Sequence, residues 1–128
     1  MKLKRVAVAF AALVVTGVTM VAGPIGSAAA SPAAPAAAGC WHSGIHWWCK
    51  NSYGAPVYSL DWEGNYELVG RMYTTTSWFD CRSDDGPYIG GPHPYRWEFT
   101  RADNGAWGWM KDTSIISETN PLPICYPT

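Results

Sequence analysis

Between Asn51 and Ile116, apolar and polar residues alternate with a period of two in several short stretches. Gly or Pro interrupts almost every longer window before a helical repeat can build. A period of two places alternate side chains on opposite faces of a pleated strand. Ala55–Leu60 (APVYSL) predicts a first strand and Leu68–Thr75 (LVGRMYTT) a second, with Gly70 marking a bend. In Trp78–Arg82 (WFDCR), Phe79 and Cys81 share one face, and Trp78, Asp80 and Arg82 the other. Arg96–Thr100 (RWEFT) and Ala106–Met110 (AWGWM) flank Asp103-Asn104-Gly105, residues that tolerate the positive φ of a tight turn. They predict an antiparallel hairpin rich in cross-strand aromatic contacts. Lys111–Ile116 closes the set with a short turn and the apolar pair Ile115 and Ile116. Ser83–Pro94 (SDDGPYIGGPHP) reads as a long Gly/Pro loop. The class is all-β, a small barrel or sandwich. Its expected core is Val57, Leu60, Val69, Met72, Phe79, Phe99, Met110, Ile115 and Ile116, with Trp97 and Trp109 partly buried.

The front of the chain follows a different pattern. Lys2, Lys4 and Arg5 precede an apolar run from Val6 to Ala22. Gly23-Pro24 breaks that run, and small residues follow at Ser27-Ala28-Ala29-Ala30. That order is the one of a secretory signal peptide spanning 1–30, with the cut after Ala30. A retained anchor is the alternative, although the run carries Thr16, Gly17 and Thr19 and is short for a span of about 20 residues. Ser31–Gly39 (SPAAPAAAG) is a Pro/Ala segment expected to be disordered. The domain then runs from 40 to 128. Ala37-Ala38-Gly39-Cys40 faintly resembles a lipoprotein cleavage box, which would make Cys40 a lipid anchor. Its distance from the apolar run, and the Ala rather than Leu at position 37, speak against it.

Removing 30 residues changes the arithmetic. The 98 that remain carry six basic and ten acidic side chains, a net charge of −4. That sign disfavours nucleic acid and anionic lipid as partners. An even four cysteines in under 100 exported residues read as two disulfides. No C-x-x-C pair offers zinc-ribbon or dithiol spacing. Three pairings are possible. Cys40–Cys49 with Cys81–Cys125 is favoured, because the first pair brackets a turn-rich loop around Gly44 and the second ties a predicted strand to a Pro-rich tail. By loop entropy the short link is worth about 2.5 kcal/mol and the long one about 4 kcal/mol. A core of this size supplies about 3–5 kcal/mol, so the staples weigh heavily.

The ordered set of a first strand, Val69-Gly70, an aromatic strand, Arg96-Trp97, a hairpin glycine and Gly108-Trp109-Met110 resembles bacterial SH3-like domains. More narrowly, GAPVYS, SWFDCR and GPHPYRWEFTRADNGAWGWMKDTSI are similar to small secreted SH3-like proteins of actinobacteria. The resemblance covers about Asn51–Thr119. It implies a five-stranded barrel and a binding role without catalytic residues, commonly toward cell-wall peptide or glycan. By the same resemblance, loop 61–67 takes the place of the first ligand-contacting loop, and loop 83–95 faces it.

Chemistry finds little purchase in the residues themselves. His42 and His46 have a spacing that suits a metal on a helix, but Ser43-Gly44-Ile45 is a poor helix. His93 stands between two prolines. Paired cysteines leave no thiol nucleophile. Asp84-Asp85-Gly86 lacks a regular set of calcium oxygens and reads as a turn. The expectation is no enzyme, no metal and no cofactor.

The surplus lies in the rings. Seventeen aromatics in the exported form exceed what a small barrel hides. Tyr58, Trp62, Tyr66, Trp78 and Tyr95 are the expected ligand-binding residues, Trp62 and Tyr66 lying in acidic, glycine-containing loop sequence. They imply a secreted, monomeric module that holds cell-wall peptide or glycan at the envelope. The alternative is a small secreted inhibitor or effector that binds a partner protein through the Pro-restricted loop 83–95.

Overall fold

The computed structural model describes residues 37–126; the expected signal peptide and most of the Pro/Ala segment lie outside them. The described chain is all-β. Its strands are β1 (Trp41–Ser43), β2 (His46–Lys50), β3 (Ala55–Leu60), β4 (Tyr66–Met72), β5 (Thr76–Phe79), β6 (Cys81–Ser83), β7 (Trp97–Arg101) and β8 (Trp107–Lys111), followed by a 3₁₀ turn at Asp112–Ser114. They form two antiparallel sheets, ordered β1-β2-β5 and β4-β3-β8-β7-β6. The end strands β4 and β6 are not paired with each other among the described residues. No helix among those residues is long and apolar enough to cross a membrane.

The predicted β7–β8 hairpin is present, with Phe99 opposite Trp109 and Arg101 opposite Trp107. Its turn is closed by the Ala102 amide on the Ala106 carbonyl, at 2.8 Å. Gly108 sits where β8 crosses β3. A methyl group there would stand 2.5 Å from the Tyr58 carbonyl oxygen, so the crossing requires a residue without a side chain.

Two expectations from the alternating pattern need correcting. The WFDCR stretch is not one strand. It breaks at Asp80, so that β5 belongs to the small sheet through β2 while β6 pairs with β7. The Asp80 amide bonds the Phe99 carbonyl at 2.9 Å, and the Thr100 hydroxyl donates to the Trp78 carbonyl at 2.6 Å. One segment thus serves both sheets, as chain does at the corners of sandwiches. The loop expected between Cys40 and Cys49 is a hairpin, β1–β2, turned by Gly44 at φ 68°.

Both disulfides pair as favoured, Cys40–Cys49 and Cys81–Cys125. The Cys40 sulfur is therefore not a lipid anchor. Ala38 and Gly39 belong to the domain rather than to the disordered segment assigned to 31–39. The Glu118 amide bonds the Ala38 carbonyl, and the Cys40 amide bonds the Glu118 carbonyl, both at 2.9 Å.

Val57, Met72, Phe79, Met110 and Ile115 are buried as expected, joined by Ala55, Ala102, Leu122 and the Cys40–Cys49 pair. Leu60, Val69 and Phe99 are only half-buried. Ile116 is exposed, because Ile115 takes the inward position in a bridge with Asn51. Trp97 is completely buried rather than partly so, since its indole N–H donates to the Pro87 carbonyl at 3.0 Å and the long loop lies over it.

The interior also contains charge. Arg96 is buried, and its guanidinium donates to Asp84 at 2.5 Å and to Thr119 and Asn120 at 3.0 Å. Arg82 bonds the same Asp84. Partial burial opposes ionisation of Asp84, but Arg96 and Arg82 outweigh it and hold the carboxyl below its ordinary value. Beneath lies Glu98, fully buried, next to Asp112, which accepts the Thr119 hydroxyl at 2.6 Å. As a carboxylate, Glu98 would have no partner for either oxygen. A proton on Glu98 supplies the missing donor, which Asp112 accepts. Burial, reinforced by Asp112, pushes Glu98 up to about 10.

Glu98 stays neutral in the folded chain but ionises above 4.5 when unfolded. Stability complete below that pH falls as pH rises toward about 10, because unfolding releases a proton, at no more than about 1.4 kcal/mol per pH unit. Glu98→Gln keeps a neutral donor and removes the dependence. Urea unfolding at pH 5 and pH 9 should show a smaller loss for the variant than for the wild type. Equal losses would contradict a protonated Glu98.

Candidate functional site

The turn between β3 and β4 is fixed by one carboxylate. Asp61 accepts the amides of Glu63 and Asn65, each at 2.9 Å, and the Asn65 side-chain amide at 3.1 Å. The Asp61 amide bonds the Asn65 carbonyl at 3.0 Å, and the Gly64 amide returns to the Asp61 carbonyl at 3.1 Å. Gly64, at φ 93°, supplies the left-handed residue the turn needs. Asn65 above all holds the Asp61 carboxyl below its ordinary value. The turn carries one large side chain, Trp62, which is 93% exposed.

Opposite this turn stands the long loop that precedes β7. Its amides at Gly86, Ile89 and Arg96 bond the carbonyls of Tyr95, Pro94 and His93 at 2.7–3.0 Å. Between the two loops is a groove of about 290 Å³ lined by residues 60–64 and 85–87. Tyr66 begins β4 beside the Trp62 turn and meets Tyr58 at 5.1 Å and Trp97 at 5.1 Å between ring centroids. Lys111, opposite Trp97 on β8, places its ammonium 4.9 Å from the Tyr66 centroid and 5.1 Å from that of Tyr58. This cation over two ring faces fixes both tyrosines in orientation.

The five residues chosen from sequence fall in three places. Tyr58 and Tyr66 touch, with Trp62 on the adjoining turn. Tyr95 pairs with Tyr88 at 5.6 Å on the long loop, above a cavity of about 200 Å³ that also contains Asp84, His93 and Arg96. Trp78 belongs to another surface, stacked on His46 at 4.3 Å and meeting Trp107 at 5.6 Å. Sequence reasoning missed Lys111 and Trp97 at the first place and His46, Trp48 and Trp107 at the last. Only Trp97 and Trp107 stood in a recognised strand.

His93 is already engaged, its Nε2 3.0 Å from Glu118 Oε2, whereas His46 Nδ1, 3.8 Å from Asp80, has no hydrogen-bond partner among the described residues. Burial opposes ionisation of Glu118, but the Asn120 amide, His93 and Arg96 hold its carboxyl below the ordinary value. Among the described residues no three His, Cys, Asp or Glu side chains group as metal ligands. Glu98 is fully buried, and Asp112 lines a cavity of about 430 Å³ together with His93, Glu118 and Thr119.

No protein-family model matches the chain, and no curated protein or solved structure matches it either.

If Asp61 is what holds Trp62 in place, Asp61→Ala will speed hydrogen exchange at the Glu63 and Asn65 amides several-fold. Global stability will change by no more than about 1 kcal/mol, because the turn is exposed. Unchanged exchange at those two amides would assign the rigidity elsewhere.

Proposed function

We propose that this chain is an exported, disulfide-stapled binding module of SH3-like type. It acts at the cell envelope, holds cell-wall peptide or glycan through surface aromatics, and has no catalysis and no cofactor of its own. The observation that carries this reading is Trp62. A tryptophan left 93% exposed on a turn held by Asp61 forgoes the gain of burial that so large a ring offers. A turn ordered beforehand also lowers the entropy cost of capturing a ligand. Tyr66, 40% exposed, and the Pro87 side of the groove extend the apolar surface. Tyr58 and Lys111 brace it from below.

The pairing of β8 with β3, which returns the last strand of the set to the first, supports the SH3-like assignment. Two disulfides and the signal-like front support export. The net charge of −4 in the exported form argues against nucleic acid and anionic membranes as targets.

One observation favours a second reading, inhibition of a partner protein through loop 83–95. Tyr88 and Tyr95 stand 70% and 51% exposed on a loop whose backbone is tied across itself.

Sedimentation with purified cell wall tests both. Wild-type protein will be retained, and Trp62→Ala with Tyr66→Ala will lower retention by about tenfold or more while the domain remains folded by circular dichroism. Retention unaffected by that pair would overturn the Trp62 site. Absence from the wall, with co-elution alongside another exported protein, would favour the loop.

A further inference from the structure

The small sheet presents a tryptophan on each of its three strands at one level. Trp41 of β1 lies directly opposite Trp48 of β2, and Trp48 directly opposite Trp78 of β5. Residues directly opposite in an antiparallel ladder share a face, so all three project from the same side. That side is the outer one. The opposite face carries Trp47, Cys49, Ser77 and Phe79 toward the core. The row continues past the sheet, because Trp107 of β8 meets Trp78 at 5.6 Å. Trp41 is 41% exposed, Trp107 51%, and the two between them are partly exposed. His46 packs on Trp78 at 4.3 Å and reaches Trp48 at 6.3 Å, which props the central rings.

Beside the row runs a groove of about 480 Å³, bounded by Trp48, Trp78, Thr74, Thr76, Arg101 and Asp103. Its two charged lining residues, Arg101 and Asp103, are of opposite sign. Lys50 lies 5.8 Å over the Trp41 ring and bonds Thr76, and Arg101 lies 5.8 Å over Trp107.

We infer that this row is a platform for an extended, uncharged β-linked polysaccharide. Five considerations select that ligand. The row sets one indole on each of three neighbouring strands, so a chain lying across the sheet meets them in succession. The apolar C–H faces of β-linked pyranoses carry slight positive charge and lie on the negative faces of indoles. Their equatorial hydroxyls point sideways, toward Thr74, Thr76, Arg101 and Asp103 at the border. A charge-balanced border gives no advantage to an ionic polymer. Peptide capture by strand addition has no footing here: β1 has only three residues, and on β5 the Trp78 carbonyl is already bonded by Thr100. The inference rests on the reading of the chain as a binding module, but it concerns a surface separate from Trp62.

Depletion by insoluble chitin and cellulose provides the test. Wild-type protein will be removed from solution by at least one of them. Trp41→Ala and Trp107→Ala, both at exposed positions, will together lower partitioning by about tenfold or more. Near-ultraviolet circular dichroism of the other rings will keep its melting profile. Trp62→Ala with Tyr66→Ala will leave depletion intact, so failure at one surface is distinguishable from failure at the other. No depletion by either polysaccharide would overturn the inference, as would depletion that survives the Trp41/Trp107 pair. So would a concentration-dependent dimer that those substitutions dissociate, or binding to wall-derived peptides but not to the polysaccharides.

Discussion

Arg96 brings a permanent positive charge into the interior of a domain with little room for one. Removing a guanidinium from water is costly, and only a full set of acceptors offsets it. Here the set comes from two separate parts of the chain: Asp84 from the long loop, and Thr119 and Asn120 from the tail. The same Thr119 hydroxyl reaches Asp112, which lies beside Glu98 on β7, two residues past Arg96. A loop with many prolines and glycines, and a tail with no regular strands, thereby acquire fixed positions. The groove beside Trp62 has the long loop as one wall, so it depends on that charge although Arg96 never touches it.

Alternation made the central strands legible. Ala55–Leu60 ends where the ladder ends, and the β7–β8 hairpin announces itself through Asp103-Asn104-Gly105. Three things were not legible. In β1 and β2 the sequence WHS and HWWCK is aromatic at successive positions, so its two faces cannot be told apart by hydropathy. Asp80 lies mid-stretch in a perfect alternation, and only the presence of two sheets makes it a junction. Glu98 sits at an alternating polar position that periodicity sends to solvent, whereas the Asp112 and Thr119 that receive it are distant in sequence. Pattern reads neighbours within a strand. It does not read what the tail brings back.

The aromatic surplus likewise resolves only in three dimensions. Trp62 and Trp97 are equally apolar, yet one is almost wholly in water and the other wholly out of it. What separates them is the loop over Trp97, whose Pro87 carbonyl satisfies the indole N–H and so removes the penalty for burying it. Trp62 has no cover of that kind. Tyr58, Tyr66 and Lys111 lie between these extremes, packed on one side and open on the other. The rings chosen from sequence consequently sort into braces, core and displayed surface.

The tail has a consequence for the order in which the molecule assembles. Residues 115–125 bridge Asn51, Gly39 and Arg82 and end in the bond to Cys81. A chain that emerges amino end first can form the β1–β2 hairpin and its nine-residue bridge early, since both are local. The Arg96 cluster, by contrast, lacks its last acceptors until Thr119 and Asn120 have appeared. Contacts this distant in sequence are slow to close. The domain is therefore a structure sealed by residues 115–125. Until then Glu98 and Asp112 stay within reach of water, and the long loop has nothing to rest on. Loss of residues 119–125 would leave strands that pair but an interior that never shuts.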